Sequence, residues 1–110
     1  MKVRQRIIDV HAHVIPGVDD GSRTMEESVE MLKRAADQGI VGVIATPHYS
    51  RRHVLKGLND SAKLLQQEIR KTYPKFRIFP GQETFYHDEL AQRLNEGKAY
   101  TMADSQYVLV

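Results

Sequence analysis

Apolar residues recur along the chain in two alternating patterns, short continuous runs and longer stretches with a helical period. The short runs are rich in β-branched and aromatic residues, the composition typical of buried strands. They predict strands at residues 6–10, 40–45, 76–79 and 106–110. Gly and Pro follow or precede several of these runs, as is typical of strand ends. The chain is therefore expected to contain four strands.

The stretches between the runs carry apolar residues three and four positions apart, the spacing of one helix face. A first helix is predicted from a capping box at Thr24-Met25-Glu26-Glu27 and ends at Gly39. A second carries apolar residues from Leu55 to Tyr73 and stops at Pro74, and a shorter third covers about residues 88–95. Strands that alternate with helices of this length predict an α/β fold with parallel strands and right-handed crossovers.

The length of the chain predicts part of a larger fold. Its 110 residues are few for an α/β barrel, which takes about 250, and the predicted elements correspond to about half of an eight-stranded barrel. The last apolar run, at 107–110, is followed by no cap or polar tail. We therefore expect residues 1–110 to be the N-terminal portion of a domain, with open sheet edges through which the segment could self-associate.

Composition excludes several classes of function. Sixteen Lys and Arg against 14 Asp and Glu give a net charge of +2, and the charges are interspersed, which argues against a nucleic-acid partner. Cysteine is absent, so these residues supply no disulfide, thiolate ligand or cysteine nucleophile. No stretch is apolar enough to predict a membrane span or the core of a signal peptide. The expectation is a cytoplasmic protein.

The end of the first predicted strand carries the most distinctive motif, Asp9-Val10-His11-Ala12-His13. Two histidines at positions i and i+2 of a strand point to the same side, about 7 Å apart along the chain. Both imidazoles can therefore face one metal ion. Their position at the carboxyl end of the strand is where α/β enzymes place their chemistry.

Further metal-binding residue types follow the next two predicted strands, His48 after the second and Glu83 after the third. The carboxyl ends of parallel strands lie on one rim, so these side chains are expected to converge with the histidine pair. Asp19 and Asp20 add carboxylates, of which at least one is expected to bind metal while the other serves the turn. Histidine with carboxylate suits Mn²⁺, Fe²⁺ or Zn²⁺, and several carboxylates favour two or more ions, with Glu83 as the bridge.

Each of these residues also has a purely structural interpretation. The histidine pair could be a surface feature, His48 could cap a loop, and Glu83 could be an ordinary loop carboxylate. Arg51 and Arg52 could hold a phosphate by bidentate contacts, although a basic pair on a loop is more often simply solvated. The isolated His53 and His87 are expected to be solvated.

The chain resembles the PHP (polymerase and histidinol phosphatase) superfamily. More narrowly, it resembles the N-terminal half of the bacterial manganese-dependent tyrosine-protein phosphatases of capsule and exopolysaccharide operons. The resemblance rests on Ile8-Asp9-Val10-His11-Ala12-His13-Val14-Ile15-Pro16-Gly17-Val18-Asp19-Asp20-Gly21-Ser22, Met25-Glu26-Glu27-Ser28, Ile44-Ala45-Thr46-Pro47-His48 and Pro80-Gly81-Gln82-Glu83. The histidine pair alone is shared by many barrels, whereas the ordered series of motifs is specific.

The resemblance implies the N-terminal part of a PHP-type distorted (β/α) TIM-like barrel, with a centre of two or three metal ions that is usually described with Mn²⁺. It implies hydrolysis of phosphotyrosine by a metal-activated hydroxide, with a tyrosine-phosphorylated bacterial kinase or another phosphotyrosyl protein as the partner. The residues that match family metal ligands are His11, His13, Asp20, His48 and Glu83. Asp19 then becomes a residue of the turn or a support for the ligands.

Two alternatives remain open. One is a histidinol-phosphate phosphatase, or another phosphatase of small phosphomonoesters, on the same barrel. The other is an inactive, self-associating fragment of the fold. Because the resemblance places further ligands after Val110, we expect the 110-residue segment alone to have little or no phosphatase activity.

Overall fold

Strands and helices alternate along the chain in the computed structural model, which describes residues 6–49, 57–86, 88–97 and 99–110. The strands are β1 (Ile7–Ala12), β2 (Ile40–Ala45), β3 (His48–Tyr49), β4 (Arg77–Pro80) and β5 (Glu83–Thr84). The helices are α1 (Met25–Asp37), α2 (Leu58–Arg70) and α3 (Leu90–Asn95). The predicted α/β order is therefore present. None of the helices in the described ranges is long and apolar enough to cross a membrane.

The described strands form two parallel sheets. The larger has the order β1-β2-β4, and the smaller pairs β3 with β5. Strand β3 follows β2 after a Thr46-Pro47 turn, and β5 follows β4 after Gly81-Gln82. The smaller sheet thus continues the carboxyl ends of β2 and β4, and its register sets His48 opposite Glu83.

Helix α1 begins where the capping motif predicts. The side chain of Thr24 accepts a hydrogen bond of 3.1 Å from the backbone N–H of Glu27, which satisfies one of the unpaired donors of the first turn. Acidic residues in the first turn and Arg34 in the last complement the helix dipole. The sequence signal and the local physics therefore agree at this helix.

One face of the larger sheet carries the core. Val43 and Ile78 of the sheet are buried with Leu32 of α1 and Leu65 of α2. The other face differs, because Val10 of β1 is 56% exposed. Burial against the two long helices therefore fixes the orientation of the strands, and with it the side to which the residues after each strand project.

The predicted fourth strand is wrong as an extended element. Within the described residues, segment 106–110 contributes a single bridge, between Leu109 and Glu83, and a short 3-10 turn at Met102–Asp104 precedes it. The neighbouring strand β5 is two residues long, so it offers too little backbone for a longer ladder. Tyr107 remains 77% exposed. Apolar composition without a partner strand does not make a strand.

Several boundaries also shift. Strand β1 extends to Ala12 and so includes His11, whereas the prediction ended at residue 10. Helix α2 ends at Arg70, before the predicted Tyr73, and the predicted start at Leu55 lies outside the described residues. Helix ends fray and are the least certain feature of any periodic pattern.

Candidate metal centre

The two histidines of the first motif lie side by side at the end of β1. Nε2 of His13 is 3.2 Å from Nε2 of His11, and the ring centroids are 5.2 Å apart. The alternation of a strand predicts this shared side. Both ring nitrogens therefore point at the same small volume.

Glu83 lies between imidazoles from two sheets. Its Oε1 is 2.6 Å from Nε2 of His11 and 3.9 Å from Nε2 of His13, while its Oε2 is 2.8 Å from Nδ1 of His48. The side chain is 25% exposed, so the cluster remains open to a ligand. The two oxygens of one carboxylate thus face different histidines.

Asp20 approaches the cluster from the loop after β1. Its Oδ1 is 3.4 Å from Nε2 of His48, and its side chain is 84% exposed. The ring of His48 stacks on that of His13 with centroids 4.6 Å apart. The structure therefore brings together all the sequence-predicted metal residues: His11, His13, Asp20, His48 and Glu83.

Asp19 has a different environment from its neighbour, with a side chain only 3% exposed. Its Oδ2 lies 3.0 Å from Nδ1 of His13 and accepts a hydrogen bond of 3.1 Å from the backbone N–H of His48. Its Oδ1 accepts one of 2.8 Å from the N–H of Gly21. Burial by itself would raise the pKa of Asp19, but these hydrogen bonds outweigh it and hold the pKa below the ordinary 3.8.

The loop after β1 is attached to helix α1 by buried hydroxyl groups. The hydroxyl of Ser28 donates to the backbone carbonyl of Val14 and accepts a hydrogen bond from the hydroxyl of Ser22, which also lies 3.3 Å from the same carbonyl oxygen. At Gly21 a side chain would have no room, because a Cβ there would lie 2.3 Å from the carbonyl oxygen of His13. The Asp19–Asp20 turn is therefore held tightly against the end of β1.

Thr46 links the ends of β1 and β2. It is fully buried, its Oγ1 accepts a 3.0 Å hydrogen bond from the N–H of Ala12, and its own N–H donates to the carbonyl of Ala12 at 2.8 Å. Since Ala12 lies between His11 and His13 and Thr46 lies two residues before His48, this link sets the spacing between the two groups of histidines.

The buried side chain of Gln82 fixes the segment next to Glu83 by hydrogen bonds, as Thr46 does near His48. Its Nε2 donates to Oγ1 of Thr84 at 2.8 Å, and its Oε1 accepts a 3.0 Å hydrogen bond from the N–H of Tyr100. Gln82 is therefore fixed both to Thr84, the neighbour of Glu83 in β5, and to the backbone of Tyr100. Sequence reasoning missed Thr46 and Gln82, although a polar residue between the end of an apolar strand and a candidate ligand is the signal that would find them.

The sequence of the chain matches a known protein family. Residues 7–110 match the sequence profile of a family described as "Capsular polysaccharide synthesis, CpsB/CapC". The chain belongs to the CpsB/CapC family. This confirms the resemblance to the capsule-type tyrosine phosphatases drawn from the sequence.

Relatives within the CpsB/CapC family are named as phosphatases. Tyrosine-protein phosphatase YwqE of Bacillus subtilis is 31% identical over 107 residues, and tyrosine-protein phosphatase CpsB of Streptococcus pneumoniae is 30% identical over 112 residues. Each alignment covers 94% of this chain but only 42% and 44%, respectively, of the relative. The chain therefore spans less than half the length of these relatives.

A solved structure shows the same fold. It comes from crystal structures of YwqE and CpsB, described as unique metal-dependent tyrosine phosphatases, and matches this chain with a TM-score of 0.85 and 33% identity. The match covers 94% of this chain and 43% of the other. It confirms the predicted fold class, the N-terminal part of a PHP-type α/β barrel.

The residues at the rim of this CpsB/CapC chain fit a divalent metal ion. Potential ligand atoms of His11, His13 and Glu83 all lie within 4.8 Å of one another, as do those of His13, Asp19, Asp20 and His48. Among the described residues, Nδ1 of His48 is buried without a hydrogen bond, although Glu83 Oε2 lies 2.8 Å away. Imidazole nitrogens and carboxylate oxygens crowded in this way are the donor set of Mn²⁺, Fe²⁺ or Zn²⁺ sites.

Other predicted residues fall elsewhere. Arg51 and Arg52, the predicted phosphate-binding pair, lie outside the described residues, as do His53 and His87. Phe85, which sequence reasoning did not select, lies with its ring centroid 6.1 Å from that of His48 and is 63% exposed. An apolar ring thus borders the cluster.

Proposed function

We propose that the protein is a metal-dependent protein-tyrosine phosphatase whose metal centre includes the rim cluster of this chain. The ligands from this chain are His11, His13, Asp20, His48 and Glu83. Membership of the CpsB/CapC family, whose relatives are named tyrosine-protein phosphatases, supports the activity. The observation that carries the proposal is the position of Glu83 among imidazoles of β1 and β3.

The shape of the cluster supports more than one ion. His13 belongs to both groups of converging ligand atoms, and the two oxygens of Glu83 face His11 on one side and His48 on the other. A carboxylate in this position can bridge two ions. We assign Mn²⁺ as the native metal, with Fe²⁺ and Zn²⁺ as the ions that the same ligands would also accept, and two or three ions in the whole protein.

In catalysis, divalent ions at such a site lower the pKa of bound water and neutralise the phosphoryl oxygens of the substrate. The residues of this chain would hold and orient these ions. His11 is held within β1 and His13 directly after it, His48 is held by its register opposite Glu83, and Asp20 by the tight turn at Gly21. The exposed ring of Phe85 offers an apolar surface beside the site to the aromatic ring of a phosphotyrosine.

The substrate we assign is a phosphotyrosyl protein, with a tyrosine-phosphorylated bacterial kinase as the leading case. The family description, capsular polysaccharide synthesis, supports a regulatory role in capsule or exopolysaccharide production. Such a kinase is phosphorylated by ATP, which is a cytoplasmic molecule. We therefore assign the proposed activity to the cytoplasm.

The test uses the protein expressed from its complete reading frame, stripped of metal with EDTA and then supplied with Mn²⁺, Fe²⁺ or Zn²⁺. We expect turnover of a phosphotyrosyl peptide to disappear with EDTA and to return with metal, and to exceed turnover of histidinol phosphate. Preference for histidinol phosphate would identify the other phosphatase class. Phosphotyrosine hydrolysis that persists without metal would contradict the proposal.

A further inference from the structure

Two adjacent carboxylates in the loop after β1 occupy opposite environments. The side chain of Asp20 is 84% exposed, whereas that of Asp19 is 3% exposed and uses both of its oxygens in hydrogen bonds. The exposed carboxylate is free to bind an ion. The buried one is already committed to other parts of the cluster.

The contact between Asp19 and His13 determines which ring nitrogen of the histidine carries a proton. Oδ2 of Asp19 lies 3.0 Å from Nδ1 of His13, and an ionised carboxylate can only accept a hydrogen bond. Nδ1 therefore carries a proton, and in the neutral imidazole the lone pair is then on Nε2. Nε2 is the atom that faces Nε2 of His11 at 3.2 Å and Oε1 of Glu83 at 3.9 Å. Asp19 thus directs the metal-binding nitrogen of His13 into the cluster.

The same carboxylate joins two further segments. The backbone N–H of His48 donates to Oδ2 at 3.1 Å, which fixes the start of β3, and the N–H of Gly21 donates to Oδ1 at 2.8 Å, directly after Asp20. One buried side chain therefore contacts the ring of one proposed ligand, the backbone of a second, and the turn that carries a third.

We propose that Asp19 is a positioning residue, which selects the Nδ1–H form of His13 and holds the segments of His13, Asp20 and His48 in the arrangement that binds metal. The inference rests on the proposed metal centre. Asp19 lies close enough to the cluster to be considered a ligand itself, but three hydrogen bonds already occupy its two oxygens. The exposed carboxylate of Asp20 instead has its Oδ1 at 3.4 Å from Nε2 of His48.

The first test reads the histidine directly, in the metal-free protein expressed from its complete reading frame. Long-range ¹H–¹⁵N NMR spectra of the imidazoles distinguish the Nδ1–H from the Nε2–H form. The signal of His13 is assigned as the one that is absent from the spectrum of His13→Gln. The wild type is expected to show the Nδ1–H form. Asp19→Asn keeps the shape of the side chain but can present His13 with either an oxygen or an NH₂ group, so a share of the Nε2–H form is expected. Asp20→Asn, the matched control, is expected to leave the pattern of His13 unchanged.

The second test measures Mn²⁺ binding by titration calorimetry and metal content by mass spectrometry. Loss of a group that orients a ligand typically weakens metal affinity by about 10- to 100-fold, and we expect this range for Asp19→Ala and Asp19→Asn with the number of sites retained. Asp20→Asn is expected to lower the number of bound ions or the affinity of one site while His13 keeps its form. Where Asp19→Ala does not fold, as judged by circular dichroism, Asp19→Asn carries the test.

Two results would overturn the inference. One is an unchanged His13 spectrum and unchanged Mn²⁺ affinity in Asp19→Asn. The other is loss of an ion in Asp19→Asn while Asp20→Asn retains all ions, which would make Asp19 the ligand. If the wild type binds metal and shows the predicted form of His13 but does not hydrolyse phosphotyrosine, the proposed function fails and the role of Asp19 stands.

Discussion

Glu83 Oε1 lies 2.6 Å from Nε2 of His11, although the two residues belong to strands of different sheets. The contact exists because β5 continues the end of β4, while β1 lies in the same larger sheet as β4 with β2 between them. The rim of the parallel sheet is therefore the physical cause of the cluster. Substitutions that disturb how the strands end should disturb metal binding as well as stability.

Gly21→Ala should weaken both the fold and the metal site. The new Cβ would lie 2.3 Å from the carbonyl oxygen of His13 and 2.6 Å from its Cβ, so the end of β1 or the turn has to move. We expect a loss of about 1–3 kcal/mol in the free energy of unfolding, measured by urea denaturation, and weaker Mn²⁺ binding.

Gly57→Ala is the control for that substitution. Gly57 has φ of +70°, and no atom of the described residues lies within 4 Å of a Cβ there, so alanine costs about 1 kcal/mol of backbone strain without a clash against them. Metal binding should stay unchanged. Equal Mn²⁺ affinity in wild type and Gly21→Ala would refute the idea that the turn shapes the site.

Thr46→Val should remove the side-chain hydrogen bond that links the ends of β1 and β2, while it preserves the shape of the side chain and the backbone hydrogen bond. The N–H of Ala12 loses its acceptor, and a buried group without a hydrogen-bond partner costs about 1–3 kcal/mol. Because the link spaces His11 and His13 from His48, Mn²⁺ affinity should fall too. Thr46→Ser keeps the hydroxyl and loses a methyl, about 1 kcal/mol, and should bind metal normally. Normal metal binding by Thr46→Val would show that the hydroxyl does not set the spacing.

The sequence predicts those features of the site that follow from strand periodicity and from the order of parallel strands, and it does not predict those that depend on short strands or on burial. The side shared by His11 and His13 follows from strand alternation, and their meeting with His48 and Glu83 follows from the common rim of parallel strands. Strands β3 and β5 are two residues long, too short to show any period. Asp19 and Asp20 look alike in a turn, and only their burial distinguishes them. The apolar run at 106–110 resembles a strand, but its neighbour β5 is too short for more than a single bridge to it.

Tyr73 should titrate above its ordinary pKa. Its hydroxyl donates a hydrogen bond to Asp37, which favours the neutral phenol and raises the pKa above 10.0. A raised pKa in the folded state means that the associated stability is present below pH 10 and is lost as the pH rises through the folded-state value. Tyrosinate absorbance of the wild type minus that of Tyr73→Phe reports this group.

Asp37→Asn provides the matched comparison for Tyr73. Removal of the carboxylate charge should lower the pKa of Tyr73 towards its ordinary value, since the hydrogen bond to the carboxylate is the largest cause of the shift. The same pKa of Tyr73 in wild type and Asp37→Asn would show that the contact between α1 and the turn after α2 does not exist in solution.

Glu83→Gln tests the metal centre most directly. In the protein expressed from its complete reading frame, metal content is measured by mass spectrometry and turnover of a phosphotyrosyl peptide is measured with Mn²⁺. Bound metal supplies several kcal/mol of transition-state stabilisation, and each 1.36 kcal/mol is a factor of ten in rate. Glu83→Gln should therefore lose at least one ion and at least about 100-fold in turnover. Glu30→Gln, the same charge change on the exposed face of α1, should lose neither. Full metal content and full turnover in Glu83→Gln would contradict the proposed metal centre.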